Sequence, residues 1–136
     1  MVVALALAGG TAGCGGSSDD YANKPRPATP INVTAAIGDR GISLSPKTFG
    51  AGPIVMIVSN QTGQRHTVTL ETQELGGSKP GLRESSRPVA PGATARLQAN
   101  LRRGTYEVST RGAGVSPVTL EVGAARESAQ NDLLQP

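Results

Sequence analysis

The chain has no tryptophan, one phenylalanine and two tyrosines, so aromatic residues make up only 2% of its 136 positions. A core must therefore come from Val, Ile, Leu and Ala, a set that packs better on pleated strands than in a helical bundle. A single cysteine excludes an internal disulfide, and the folded part must hold together by packing alone. Basic runs are also missing. The net charge of +3 comes from Lys and Arg scattered singly, with only Arg102 and Arg103 adjacent. Without a basic stretch or aromatics for bases to stack on, nucleic-acid binding is excluded as a partner class. The folded part has no Cys–His pair, and no GxSxG elbow or paired acid motif is present, so no enzyme activity is expected. Nor is there an apolar run of about 20 residues, the length a spanning helix needs.

What the chain does have is punctuation: 18 glycines and 10 prolines, spaced between short apolar runs. Residues 31–37 (INVTAAI) alternate Ile31, Val33, Ala35 and Ile37 on one face, and 41–46 (GISLSP) do the same with Ile42 and Leu44 before stopping at proline. Residues 53–60 (PIVMIVSN) are continuously apolar, as a central strand covered on both faces would be. A turn at Gln61-Thr62-Gly63 leads to 66–72 (HTVTLET), which puts Val68 and Leu70 inward and opens on His66. Residues 73–87 are long and polar and read as a loop. Then 93–101, 104–110 and 116–122 add three more alternating runs. About seven short strands between breakers predict an all-β fold, a Greek-key sandwich of two sheets over residues 31–123.

The two ends read differently. Residues 1–13 form an uncharged apolar segment ending in small residues, the pattern of a signal peptide. Thr11-Ala12-Gly13-Cys14 resembles the bacterial lipobox, which implies lipid transfer to the Cys14 thiol and cleavage before it. The family pattern more often has Leu at the first of these positions. No Lys or Arg precedes the apolar run, which points to a start upstream of Met1. Residues 14–30 then form a flexible tether, stiffened by Pro25, Pro27 and Pro30, where Pro-rich chain spans about 3.1 Å per residue. Residues 124–136 read as a loosely ordered tail. Taken together, these features predict a lipoprotein lipid-anchored to the cell membrane and facing its extracytoplasmic side.

The middle of the chain resembles the cupredoxins, and in particular the cupredoxin-like domains of exported bacterial proteins. Ser45-Pro46, followed by Gly52-Pro53 and the run ending Val58-Ser59-Asn60, carries the first part of the likeness. Asn60, leading through a glycine turn to His66, matches the spacing at which the family places its first histidine ligand. Pro91-Gly92 and then Gly104-Thr105-Tyr106 carry the last part. The departures are chemical. A blue-copper site uses two His and one Cys thiolate, usually with a long axial Met. Here the family's cysteine position is Thr110, His66 is the only histidine, and the closing loop 111–117 has no Met. Type 1 copper electron transfer is therefore excluded.

The expected function is a non-enzymatic binding or interaction module without a cofactor, acting on an unknown extracytoplasmic protein or small ligand. Loop residues Glu74, Lys79, Arg83, Glu84 and Arg87 are candidates for the interaction, because loops on a rigid β scaffold are where binding usually resides. Arg65, Arg102 and Arg103 join Arg83 and Arg87 as a candidate arginine face, set against a plainly solvated surface. The alternative is a metal handler for copper, with a solvent-reachable His66 helped by Glu71, Glu74 or Glu107. Set against that is a strand-end histidine packed at the rim of the sandwich, because metal sites need three or four converging ligands.

Overall fold

The computed structural model describes residues 26–73, 81–111 and 114–128. Cys14, Glu74 and Lys79, and with them the expected signal peptide and lipidation site, lie outside the described residues. Eight strands follow in order: β1 (Ile31–Ile37), β2 (Ile42–Ser45), β3 (Thr48–Asn60), β4 (Val68–Thr72), β5 (Arg83–Ser85), β6 (Thr94–Leu101), β7 (Gly104–Thr110) and β8 (Val118–Ala125). Among the described residues no helix is long and apolar enough to cross a membrane.

β3 belongs to both layers. Its first part, from Thr48 to Ala51, runs parallel to β8 in a sheet that continues through β7 and β4 to β5. Its second part lies between β1, parallel, and β6, antiparallel, with β2 at the far edge beside β1. The change of sheet falls at Gly50-Ala51-Gly52-Pro53. There the register to β8 shifts, Gly52 adopts φ 137°, and Pro53 supplies no N–H to a ladder that is already broken. The 41–46 run ends at a cis Ser45–Pro46 bond in the turn before β3.

Between the layers sits one hydrophobic cluster. Val33, Ala35 and Ile37 of β1 and Met56 and Val58 of β3 face Val68 and Leu70 of β4, Val108 of β7 and Leu120 of β8, all with no exposed surface. Each of these positions is one that period-2 alternation places inward. Tyr106 fills the gap that the shortage of aromatics leaves. Its ring is buried, its hydroxyl donates to the Arg102 carbonyl, and the Arg102 N–H donates back to it, both at 3.0 Å.

Four expectations need correction. Among the described residues there are eight strands against about seven expected, because Arg83–Ser85, read as part of a loop, pairs with β4 as a short edge strand. Its three side chains are all exposed, so no apolar alternation marks it in the sequence. β3 starts five residues before Pro53, since Gly50 and Gly52 serve a bend within a strand rather than a turn between two. Its apolar run is not covered on both faces: Ile54, Met56 and Val58 are buried, while Val55 and Ile57 are half-buried on the outer side. Finally, β8 continues past Gly123 to Ala125, and Arg126 and Ser128 beyond it are held against the sandwich. The Arg126 N–H donates to Ala51 and Ser128 is buried, so the first residues of the 124–136 segment belong to the fold.

Candidate functional site

β1 and β3 run parallel, with Ile31 beside Ile54 and Ile37 beside Asn60. The N-terminal end of β1 therefore lies at one end of the sandwich, and the C-terminal ends of β1 and β3 lie at the other, roughly 20 Å away for a seven-residue strand. Four segments meet at that far end: 38–41, 61–67, 86–93 and the described part of the stretch after β7, Arg111 and 114–117. Backbone bonds join them. Ser116 donates to Arg40 at 3.2 Å and accepts from Ile42, Gln61 donates to Ile37 at 2.9 Å, and Arg111 donates to Thr67 at 3.4 Å.

Asn60 is the hub of this end. It is 1% exposed, yet each of its polar atoms is used. Its side-chain amide donates to the Gln64 carbonyl at 2.6 Å and to the Val89 carbonyl at 3.0 Å. Its carbonyl oxygen accepts from the Thr62 N–H at 3.0 Å and from the Thr62 hydroxyl at 2.8 Å. A buried amide with all its bonds made holds its neighbours in one arrangement, which here is the turn 61–64 against the 86–93 loop.

His66 is placed by that turn. It does not open a strand, since β4 begins at Val68. Instead it forms an isolated antiparallel bridge with Val89, donating to its carbonyl at 3.1 Å and accepting from its N–H at 2.7 Å. The residue is 6% exposed, so the solvent-reachable ligand of the metal reading is in fact a buried rim histidine. Its Nδ1 is buried without a hydrogen-bond partner among the described residues, and so is Thr110 Oγ1. Thr110 lies opposite Val68, two residues from His66, so the two orphaned polar atoms come from neighbouring parts of one end. Beside them opens a cleft of about 380 Å³ lined by Asp39, Thr62, Gly63, Gln64, His66 and Val115.

Of the carboxylates expected to help His66, Glu71 and Glu107 lie elsewhere, and Glu74 is outside the described residues. Glu71 is five residues further along an extended segment, about 16 Å at strand rise. It sits opposite Glu107 on one side and Arg83 on the other, with Arg83 Nε 3.6 Å from its carboxylate. No group of three or more His, Cys, Asp or Glu side chains that could hold a metal occurs among the described residues. Asp39, on the 38–41 turn, is the one carboxylate lining the cleft. Spacing could not reveal it, because 27 residues and a whole strand crossing separate it from His66.

No family model matches the sequence, and no curated protein does. Among solved structures the chain is similar to auracyanin A, a "blue" copper protein from the green thermophilic photosynthetic bacterium Chloroflexus aurantiacus. The TM-score is 0.50 at 18% identity, over 68% of this chain and 99% of that one. The fold is cupredoxin-like.

The donor set of the cupredoxin-like domain does not fit type 1 copper. Thr110 stands where the family resemblance puts the thiolate, and its hydroxyl is an orphaned hard donor, which a soft copper–thiolate bond cannot use. A second imidazole does not exist in the chain.

Of the interaction candidates that are described, Arg83 and Glu84 lie on edge strand β5 and Arg87 lies in the 86–93 loop at the cleft end. Ser86 fixes that loop: its N–H donates to the Val68 carbonyl at 2.8 Å, and its hydroxyl accepts from the Val68 N–H at 3.0 Å. The arginines expected on one face are divided. Arg65 and Arg87 belong to the cleft end, whereas Arg102 and Arg103 turn the chain between β6 and β7 at the end where β1 begins.

Proposed function

We propose that this chain is a membrane-anchored bacterial lipoprotein whose copper-less cupredoxin-like domain is a non-enzymatic binding module, working through the loop end around His66. The observation that carries this reading is the cleft of about 380 Å³ beside a buried His66 whose Nδ1 has no partner among the described residues. A buried polar atom left unpaired costs about 1–3 kcal/mol, and a ligand that engages it recovers that cost. Placement agrees with this role. The tether joins at the opposite end, so a domain anchored through Cys14 would present the cleft away from the lipid surface.

Two measurements test the proposal. The full chain produced in a bacterium should partition into detergent and carry acyl mass, and Cys14→Ser should abolish both. Recovery of an unmodified, water-soluble chain would remove the lipoprotein reading. His66 supplies the only imidazole, so its ring resonances report directly on the cleft. Binding of a solute there should shift them, and should weaken in His66→Ala by a separate assay.

The unpartnered Nδ1 also favours a second reading, in which His66 holds a metal ion for transfer to a neighbour. A Cu(II) and Zn(II) titration of the full chain with Cys14→Ser separates the two. Tight one-to-one binding lost in His66→Ala would make this a metal-handling lipoprotein. Weak binding that the variant retains would retire the metal.

A further inference from the structure

The lining of the cleft carries one formal charge, the Asp39 carboxylate, and it is negative. Arg40 and Arg65 follow Asp39 and Gln64 in the chain, but neither is among the described residues that line the cleft. The polar groups of the lining are unequally used. Thr62 is taken up by the turn: its hydroxyl donates to Asn60 Oδ1 at 2.8 Å and accepts from the Gln64 N–H at 3.2 Å. The backbone carbonyl of Gln64 is taken too, by the Asn60 amide at 2.6 Å. By contrast, the Asp39 carboxylate, the Gln64 side-chain amide and the His66 ring nitrogens have no partner among the described residues. Of these three residues Asp39 and Gln64 are exposed, whereas His66 is 6% exposed and its Nδ1 is buried.

The unused groups share a bias towards accepting. A carboxylate only accepts, a neutral imidazole keeps one ring nitrogen as an acceptor, and a glutamine can present its carbonyl oxygen. An ammonium group is their complement, with three N–H donors and a positive charge for Asp39. A metal ion is a poorer match. One carboxylate and one imidazole fall short of the three or four ligands it needs, and no larger set occurs among the described residues. The volume of about 380 Å³ is at the small end of the range for solute pockets, too small for a folded partner to enter. Half-buried Val115 adds a short apolar wall on which methylene groups can lie. The chain's net charge of +3 does not steer a cation here, so selection rests on contact with Asp39.

We infer that this cleft takes a small organic cation bearing a primary ammonium group, held by the Asp39 carboxylate with Gln64 and His66 as further acceptors. This rests on the binding role proposed above and names the chemistry of its ligand.

The test uses the full chain in detergent at constant pH, with 1,4-diaminobutane as the probe and the His66 ring resonances as the readout. Saturable one-to-one binding is expected, weakened by added salt. Asp39→Asn should weaken it about tenfold or more, the worth of one charge-assisted hydrogen bond. Asp39→Glu should retain more of it than Asp39→Asn does. Glu127→Gln removes another exposed carboxylate, next to Arg126 and its bond to Thr29 at the opposite end, and should leave binding unchanged. Asp39 and Glu127 are exposed, so thermal melts of all three variants should match the parent. Tetramethylammonium has the charge but no N–H, and should bind about tenfold more weakly than the diamine.

Equal weakening in Asp39→Asn and Glu127→Gln would overturn the inference in favour of unspecific charge. Equal affinity for tetramethylammonium would overturn the hydrogen-bonded ammonium. If Zn(II), citrate or a neutral sugar shifts the His66 signals and the diamine does not, the cleft binds but the organic cation is wrong. If no probe moves them, the binding role fails as well.

Discussion

Asn60 and His66 are coupled through a third residue. The Asn60 side-chain amide donates to the Val89 carbonyl at 3.0 Å, and the Val89 N–H donates to the His66 carbonyl at 2.7 Å. The amide that closes the 61–64 turn therefore also fixes the segment against which the histidine is bridged. Six residues apart in sequence, the two are held by one strip of backbone.

Asn60→Ala should accordingly do more than remove one bond. It leaves the Thr62 N–H without its buried partner and takes one of two donors from each of the Val89 and Gln64 carbonyls. The expected cost is about 2–4 kcal/mol, from the usual penalty for orphaned buried groups. Urea denaturation should show a lower midpoint with an unchanged slope, and the His66 ring resonances should broaden as its bridge to Val89 loosens. A loss below about 0.5 kcal/mol would show that the turn holds without its hub.

Arg126 ties three distant parts of the chain together. It donates to Gly50 at 3.0 Å, Thr29 at 2.8 Å and Pro53 at 2.6 Å, across the point where β3 changes sheets. Arg126→Ala should destabilise the fold by about 1–3 kcal/mol, and hydrogen exchange should quicken at Ala51 and Ile31 first. Truncation before Arg126 should do the same.

Gly50→Ala should be worse than an ordinary glycine replacement in a strand. A Cβ there would lie 2.6 Å from the Arg126 Cγ and 2.7 Å from the Ala124 carbonyl oxygen. The side chain can swing away but the backbone oxygen cannot, so either β8 shifts or the sheet switch opens. The expected loss is about 2–4 kcal/mol. Shortening the arginine should not rescue it, which a Gly50→Ala, Arg126→Ala double variant checks.

Tyr106→Phe removes a hydroxyl that both donates to and accepts from Arg102. The ring stays, so the core keeps its volume and the change isolates the bonds. A loss of about 1–2 kcal/mol in chemical denaturation is expected. No change would mean that water replaces the hydroxyl at the β6–β7 turn.

Thr110→Val has the opposite sign. Its buried hydroxyl has no partner among the described residues, and valine has nearly the same shape and equal preference for a strand. The variant should be neutral or more stable by up to about 1 kcal/mol. A clear loss of stability would reveal a partner for Oγ1.

The fold was legible in the chain because its strands obey period-2 alternation. Val33, Ala35, Ile37, Val68, Leu70, Val108 and Leu120 all face inward where that pattern puts them. A side chain's face is set locally, by the pleat, so a local pattern suffices. Where the pattern is silent, the reading stopped: Arg83–Ser85 has no apolar residue to mark it, and it pairs because β4 presents an open edge. The start of β3 before Pro53 was not legible, because a glycine bend inside a strand and one between two strands have the same composition. The sequence alone also set aside blue-copper chemistry, since a threonine at the family's cysteine position and a missing second histidine need no coordinates to be noticed.

The candidate site lay beyond that reach. That His66 is buried, that Asp39 and Val115 share its cleft, and that Glu71 and Glu107 stand a strand's length away all depend on which loops the parallel β1–β3 pairing carries to one end. The same pairing divides Arg65 and Arg87 from Arg102 and Arg103. Side-chain identity and alternation are properties of neighbours along the chain. Convergence of loops is a property of strand direction and register between sheets, and those are settled only when the whole core closes.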